Sequence, residues 1–117
     1  MIFIIDDDKI MAECIARFAG KKDYMIFSNA IDAMNAISGG IMPKMIFLDI
    51  MLDGPDGFSF LNEMISYDDT SKIPIIIVSS LDFSKVNLGT YNVVGVLNKD
   101  TMMPLDIKKY ISEYYEK

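Results

Sequence analysis

Short apolar runs, each closed by a polar side chain, dominate this chain and leave it few ways to fold. Ile2-Phe3-Ile4-Ile5 leads into Asp6-Asp7-Asp8, and Met45-Ile46-Phe47-Leu48 leads into Asp49. Pro74 to Val78 leads into Ser79-Ser80, and Val93 to Asn98 leads into Lys99. The runs have strand length and do not alternate as a half-exposed strand does. They fit the strands of a parallel sheet covered on both faces. In an open α/β sheet the carboxyl ends of the strands border one crevice, and ligands bind there. Several carboxylates, a hydroxyl and an ammonium would therefore meet at one edge. That set suits a divalent metal and a phosphoryl group.

Helical patterns separate the runs. From Asp8 to Gly20 the apolar residues Met11, Cys14, Ile15 and Phe18 recur at helical spacing. Asp8 reads as the N-cap of that helix rather than as a metal ligand. Tyr24 to Phe27 is a second strand, and Ser28 or Asn29 caps a helix ending at Gly39-Gly40. Asp53 to Gly57 is a Gly/Pro/Asp loop. Phe58, Leu61, Met64 and Ile65 mark a third helix, and Leu105 to Tyr115 marks the last. Residues 82–92 make a weak helix at best, because Asn87, Gly89, Thr90 and Asn92 disfavour it. Five strands alternating with helices predict a doubly wound, flavodoxin-like α/β fold, a five-stranded parallel sheet in the order 2-1-3-4-5. That order sets the first and third strands side by side and makes Asp6 to Asp8 neighbours of Asp49.

Composition narrows the function. With 117 residues, about half of them hydrophobic, the chain is expected to form one domain, residues 1–117. No apolar run is long enough to span a bilayer, and no secretory leader is visible. Cys14 is the lone cysteine, so an internal disulfide is excluded and a cytoplasmic setting is the simplest expectation. The net charge of −6, without a basic run, argues against direct nucleic-acid binding. The chain has no His, so any phosphohistidine must come from a partner. Ten Met residues are expected mainly as flexible core filler.

The chain resembles the receiver domain of two-component response regulators over essentially its whole length. "IFIIDDDK" is similar to the family's acidic pair, and "MIFLDIMLDGPDGF" to its phosphoacceptor segment. "IPIIIVSS" is similar to its fourth strand with the switch hydroxyl, and "GVLNKD" to its fifth strand with the lysine. All four occur in order at matching spacing. The resemblance implies that Asp49 accepts a phosphoryl group from a sensor histidine kinase or phosphotransfer protein. It implies Mg²⁺ held by Asp6, Asp7, Asp49 and the backbone carbonyl of Met51. Lys99 would pair with Asp49 and then with the phosphoryl group, and Ser79 would hydrogen-bond that group. The domain would then switch shape to regulate a downstream protein or effector domain, with a homodimer as one allowed form. It would be no enzyme beyond its own phosphotransfer and autodephosphorylation, and no membrane contact is implied.

Three departures stand out. Asp100 follows Lys99 where the family usually has Pro, so the loop after Lys99 should be rebuilt. Val96 aligns with the family's aromatic switch residue. The fourth helix region is poor in helix formers. An alternative reading is a receiver-like interaction module that is not phosphorylated. Another is a haloacid dehalogenase-like phosphatase with Asp6 as nucleophile and Asp8 as acid/base, which leaves Asp49 unexplained. A flavodoxin-type flavin site is disfavoured, since an acidic triplet would repel the phosphate of FMN.

Overall fold

Each apolar run becomes a strand. The computed structural model describes residues 1–20, 22–50, 57–80 and 88–115. In chain order these form β1 (Ile2–Ile5), α1 (Lys9–Arg17), β2 (Tyr24–Phe27), α2 (Ala30–Ser38), β3 (Met45–Leu48), α3 (Gly57–Ile65), β4 (Ile75–Ser79), β5 (Val93–Asn98) and α4 (Pro104–Tyr114). The sheet is parallel throughout, with the order β2-β1-β3-β4-β5 expected from the sequence.

Burial on both faces explains why the runs of β1, β3 and β4 do not alternate, while the edge strands β2 and β5 are only partly covered. Phe3, Ile5, Ile46, Leu48, Ile75 and Ile77 point to one side, where α2 and α3 supply Ala33, Ile37, Phe60 and Leu61. Ile2, Ile4, Met45, Phe47, Ile76 and Val78 point to the other, against Ala12, Ile15, Ile107 and Ile111 of α1 and α4. Successive strand residues face opposite ways, so two cores need apolar residues at every position. Each large side chain so buried stabilises the fold by roughly 1.5–3 kcal/mol. Met45 and Met64 fill core positions as expected, whereas Met42 and Met103 are exposed.

The helix ends follow local chemistry. Asp8 is the N-cap of α1, its carboxylate accepting from the backbone N–H of Ile10 and Met11 at 3.1 Å each. Asn29, not Ser28, caps α2 by accepting from the N–H of Asp32 at 2.8 Å. The first helix is shorter than expected: 18–20 leave it as turns, and Gly20 takes a positive φ of 65°. Of the weak helix expected over 82–92, residues 82–87 lie outside the described residues, as do Met51 and Asp53 to Asp56. Residues 88–92 are a turn, with the Tyr91 N–H donating to the Leu88 carbonyl at 3.1 Å. The Asn92 side-chain Nδ2 there donates to the Lys72 carbonyl at 2.8 Å.

Gly57 is required by a close approach. A Cβ there would stand 2.6 Å from Ile50 Cα and 3.1 Å from the Ile50 carbonyl oxygen, both backbone atoms that cannot swing away. Gly57→Ala is therefore expected to destabilise the fold by about 1–3 kcal/mol, the usual range for overpacking. It should also shift Ile50, the residue after Asp49. Urea unfolding reads the first effect; a midpoint equal to wild type would show that Ile50 yields freely.

Candidate functional site

The sheet register assembles the site. Ile5 pairs with Leu48, so Asp6 and Asp49 leave neighbouring strands at one level. The chain is held there by two backbone bonds, Asp49 N–H to the Ile5 carbonyl at 2.8 Å and Asp6 N–H to the Phe27 carbonyl at 2.9 Å. On the other side, β4 and β5 pair Ser79 with Asn98, and the Lys99 N–H donates to the Ser79 carbonyl at 3.0 Å. Lys99 thus starts its reach from the same strand ends that carry the acids.

Its ammonium closes the gap. Lys99 Nζ lies 3.1 Å from Asp49 Oδ2 and 3.1 Å from Asp6 Oδ2. It also hydrogen-bonds Asp6 Oδ1 at 3.3 Å. Asp6 and Asp49 are almost wholly buried and the lysine side chain is 16% exposed. The sequence sets Lys99 opposite the acid cluster, and the resemblance pairs it with Asp49; the β1–β3 register makes Asp6 its second direct partner. Asp6 Oδ1 further accepts from the N–H of Asp8 at 2.8 Å. Asp6 Oδ2 is in ionic contact with the ammonium but accepts no well-directed hydrogen bond among the described residues.

These contacts set the protonation states. Burial pushes the Asp6 carboxyl up from the ordinary 3.8 to about 6. The Asp8 N–H and the Lys99 ammonium oppose that rise, and the charge on Asp49 adds to it. Burial by itself would lower the Lys99 pKa, but the hydrogen bonds and charges of Asp6 and Asp49 outweigh it and hold the ammonium above its usual range. Because the folded pKa of Asp6 is raised, the stability it contributes is present at pH below about 4 and lost as pH rises through about 6. In metal-free protein, Asp6→Asn is expected to gain stability relative to wild type between pH 5 and pH 7. Parallel melting curves of the two proteins across that range would count against the shift.

One oxygen from each of Asp6, Asp7 and Asp49 can lie within 4.8 Å of the others, with Asp7 exposed at the rim. Three carboxylates, one with a buried oxygen that accepts no hydrogen bond among the described residues, are a hard-oxygen donor set that fits Mg²⁺. Met51, expected to add a carbonyl, lies outside the described residues. Asp8 is spent on its cap and contributes only its backbone N–H to Asp6. Ser79 is buried at the end of β4, one residue beyond the level at which Asp49 leaves β3.

The departures after Lys99 also take shape. The Asn98 side chain accepts from the Asp100 N–H at 2.8 Å, and its carbonyl accepts from Thr101 and Met102. Asn98 thereby builds the turn. The Met103 N–H then donates to the Asp106 carboxylate at 2.8 Å, with Pro104 opening α4. Val96 is 40% exposed, and the ring beside this part of β5 belongs to Tyr110, packed on Gly95 so that a Cβ there would require the ring to swing aside.

Comparison with known proteins agrees with this geometry. The family model described as the response regulator receiver domain matches residues 2–111. No curated protein sequence matches significantly. Among solved structures, the receiver domain of NtrX from Brucella abortus superposes with a TM-score of 0.84 at 19% identity, covering 100% of this chain and 99% of that one. The receiver domain of the sensor histidine kinase PA1611 from Pseudomonas aeruginosa PAO1, with a magnesium ion coordinated in its active site cleft, gives 0.82 at 16% identity, covering 99% and 97%. The Mn²⁺-bound form of the response regulator Rcp1 gives 0.82 at 18% identity, covering 99% and 94%. At these identities the likeness establishes the fold.

Proposed function

Because the chain belongs to the response regulator receiver domain family, we propose that Asp49 is its phosphoacceptor and that Asp6, Asp7 and Lys99 serve the transfer. The observation that carries this reading is the Lys99 ammonium, 3.1 Å from both Asp49 and Asp6 beneath a rim acid. A carboxylate is a competent nucleophile toward phosphorus. The donor in this reading is a phosphohistidine of a sensor kinase or phosphotransfer protein, and residues 1–117 supply no His of their own. An Asp49 oxygen attacks phosphorus in line. The P–N bond breaks, its electron pair leaves with the imidazole, and a mixed anhydride remains on Asp49.

Positioning and charge compensation do most of the work in such transfers. Lys99 is placed to follow the charge from the Asp49 carboxylate to a phosphoryl oxygen. Ser79, at the end of the neighbouring strand, is assigned the hydrogen bond to another. Asp6 fixes the ammonium, and the Asp8 N–H fixes Asp6. Mg²⁺, held by Asp6, Asp7, Asp49 and the Met51 carbonyl, would offset charge on the phosphoryl oxygens. Attack of water on phosphorus later restores the carboxylate and releases inorganic phosphate. The output is a conformational change read by a downstream protein or effector domain, in the cytoplasm. A dimer is one form that readout can take.

The test is the intact mass of the protein incubated with acetyl phosphate and Mg²⁺. One phosphoryl group should be added only when Mg²⁺ is present. Borohydride reduction should then convert Asp49 to homoserine, which peptide sequencing locates. Millimolar Mg²⁺ alone should raise the melting temperature. No adduct, with the melting temperature also unmoved, would leave a phosphate-independent interaction module.

A further inference from the structure

On the face away from α1 and α4, helices α2 and α3 leave a groove between them. Its two hollows have volumes of about 220 and 260 Å³. The first is walled by Ile31, Met34 and Phe60, the second by Met34, Ile37, Tyr67 and Thr70; Glu63 borders both. Ile31 and Tyr67 are about half exposed. Along α2 the hollows centre about four residues apart, hence roughly 6 Å at 1.5 Å per residue. That is the spacing of side chains at i and i+4 on a second helix.

Charge selects the occupant. α2, α3 and the turn over 66–72 carry Asp32, Glu63, Asp68 and Asp69 against one cation, Lys72, which lines neither hollow. Glu63 and Asp69 stand at the hollows, and among the described residues neither pairs with a cation. Lys44, on the loop after α2, is turned toward Tyr115, 3.4 Å from its carbonyl and 5.2 Å from its ring centre. The opposite face is mixed, with Lys9 and Arg17 beside Glu13 on α1 and Lys108 and Lys109 beside Asp106 and Glu113 on α4. An anionic groove repels phosphate backbones and acidic lipid headgroups. It suits an apolar stripe flanked by cations, the helix-in-groove mode of recognition.

We propose that the α2–α3 groove docks a cationic amphipathic helix of a partner protein. Two apolar side chains one turn apart fill the hollows, and flanking Lys or Arg side chains pair with Glu63 and Asp69. The flexible Met34 side chain, shared by both hollows, adapts to the anchors. The groove includes none of Asp6, Asp49, Lys99 or Ser79, so it stands apart from the phosphoacceptor reading and can fail separately.

The probe is an alanine-based peptide of about 16 residues, long enough to become helical when bound. It carries Leu at i and i+4 flanked by Lys, and a control replaces each Lys by Glu. Methyl NMR of the Met and Ile side chains reads the contact on the whole chain. Saturable shifts confined to Met34, Ile31 and Ile37 are expected with the cationic peptide and not with the control. Glu63→Lys with Asp69→Lys should weaken binding by roughly tenfold or more, while acetyl phosphate uptake is unchanged. Ile31→Lys, at an exposed site that cannot unfold the core, should weaken it likewise. Shifts scattered over other methyls, equal binding of the control, or affinity unmoved in both variants would overturn the proposal. So would shifts at Met34 on concentrating the protein without peptide, which would make the groove an interface between copies.

Discussion

Asp49→Asn is expected to abolish covalent phosphorylation while leaving the fold intact. The amide is nearly isosteric with the carboxylate but offers no anionic oxygen to attack phosphorus, so the adduct from acetyl phosphate and Mg²⁺ should fall below about 1% of wild type. The fold should hold because the substitution removes a charge that pushes the Asp6 pKa upward and leaves the contact of Lys99 with Asp6 in place. Intact mass measures the adduct, and urea unfolding measures the fold. An adduct that persists in Asp49→Asn and disappears in Asp6→Asn would transfer the nucleophile to Asp6, as a phosphatase of the haloacid dehalogenase type requires.

Lys99→Met should carry the largest stability cost. The lysine is the cation that touches both buried carboxylates, at 3.1 Å each. Methionine keeps much of the side-chain volume and removes the charge. Stripping one partner from a buried ionic cluster costs on the order of 3–5 kcal/mol, since the remaining charge has neither water nor a counter-ion. Part of that is recovered when a carboxyl takes up a proton, and Asp6, already raised to about 6, is the group poised to do so. A net loss of about 3 kcal/mol would lower the melting temperature by roughly 10 °C. The loss should shrink at pH 5, where Asp6 is neutral, and in millimolar Mg²⁺, which replaces the missing positive charge. Melting at pH 5 and pH 7.5, with and without Mg²⁺, checks all three. A variant that melts like wild type at pH 7.5 without metal would mean that water already solvates the two acids and that the lysine is no structural counter-charge.

The neighbourhood of Lys99 shows where sequence reasoning reached its limit. That a cation would face Asp49 was readable from the order of apolar runs and the polar residues closing them. Which acids of the cluster it would touch directly was not, because that depends on the level at which β1 and β3 pair. The place of Asp8 before a helical pattern marks it as a cap, and the bonds from the Ile10 and Met11 N–H groups bear this out. The turn built by Asn98 was expected only as a rebuilt loop, since a side chain accepting from a backbone N–H two residues on leaves a weak signature. The groove between α2 and α3 had one sequence clue, the dearth of cations between Ala30 and Ser71. The clue acquired meaning only once the sheet had separated those helices from α1 and α4.

The sequence by itself determined the layers, the strand positions and the chemical inventory of the strand ends. The unbroken apolar runs of β1, β3 and β4 suit strands buried on both faces, and a polar residue closing such a run lies at the sheet's end. The tertiary structure alone decided distances and partners: the 3.1 Å contacts of Lys99 with Asp6 and Asp49, the crowding of Gly57 on Ile50, and Tyr110 lying over Gly95. These depend on register, helix placement and close packing between residues far apart in the chain. Hydrophobic pattern is a local property and can be read along a sequence; the separation of two charges on different strands is fixed only when the whole sheet has closed around them.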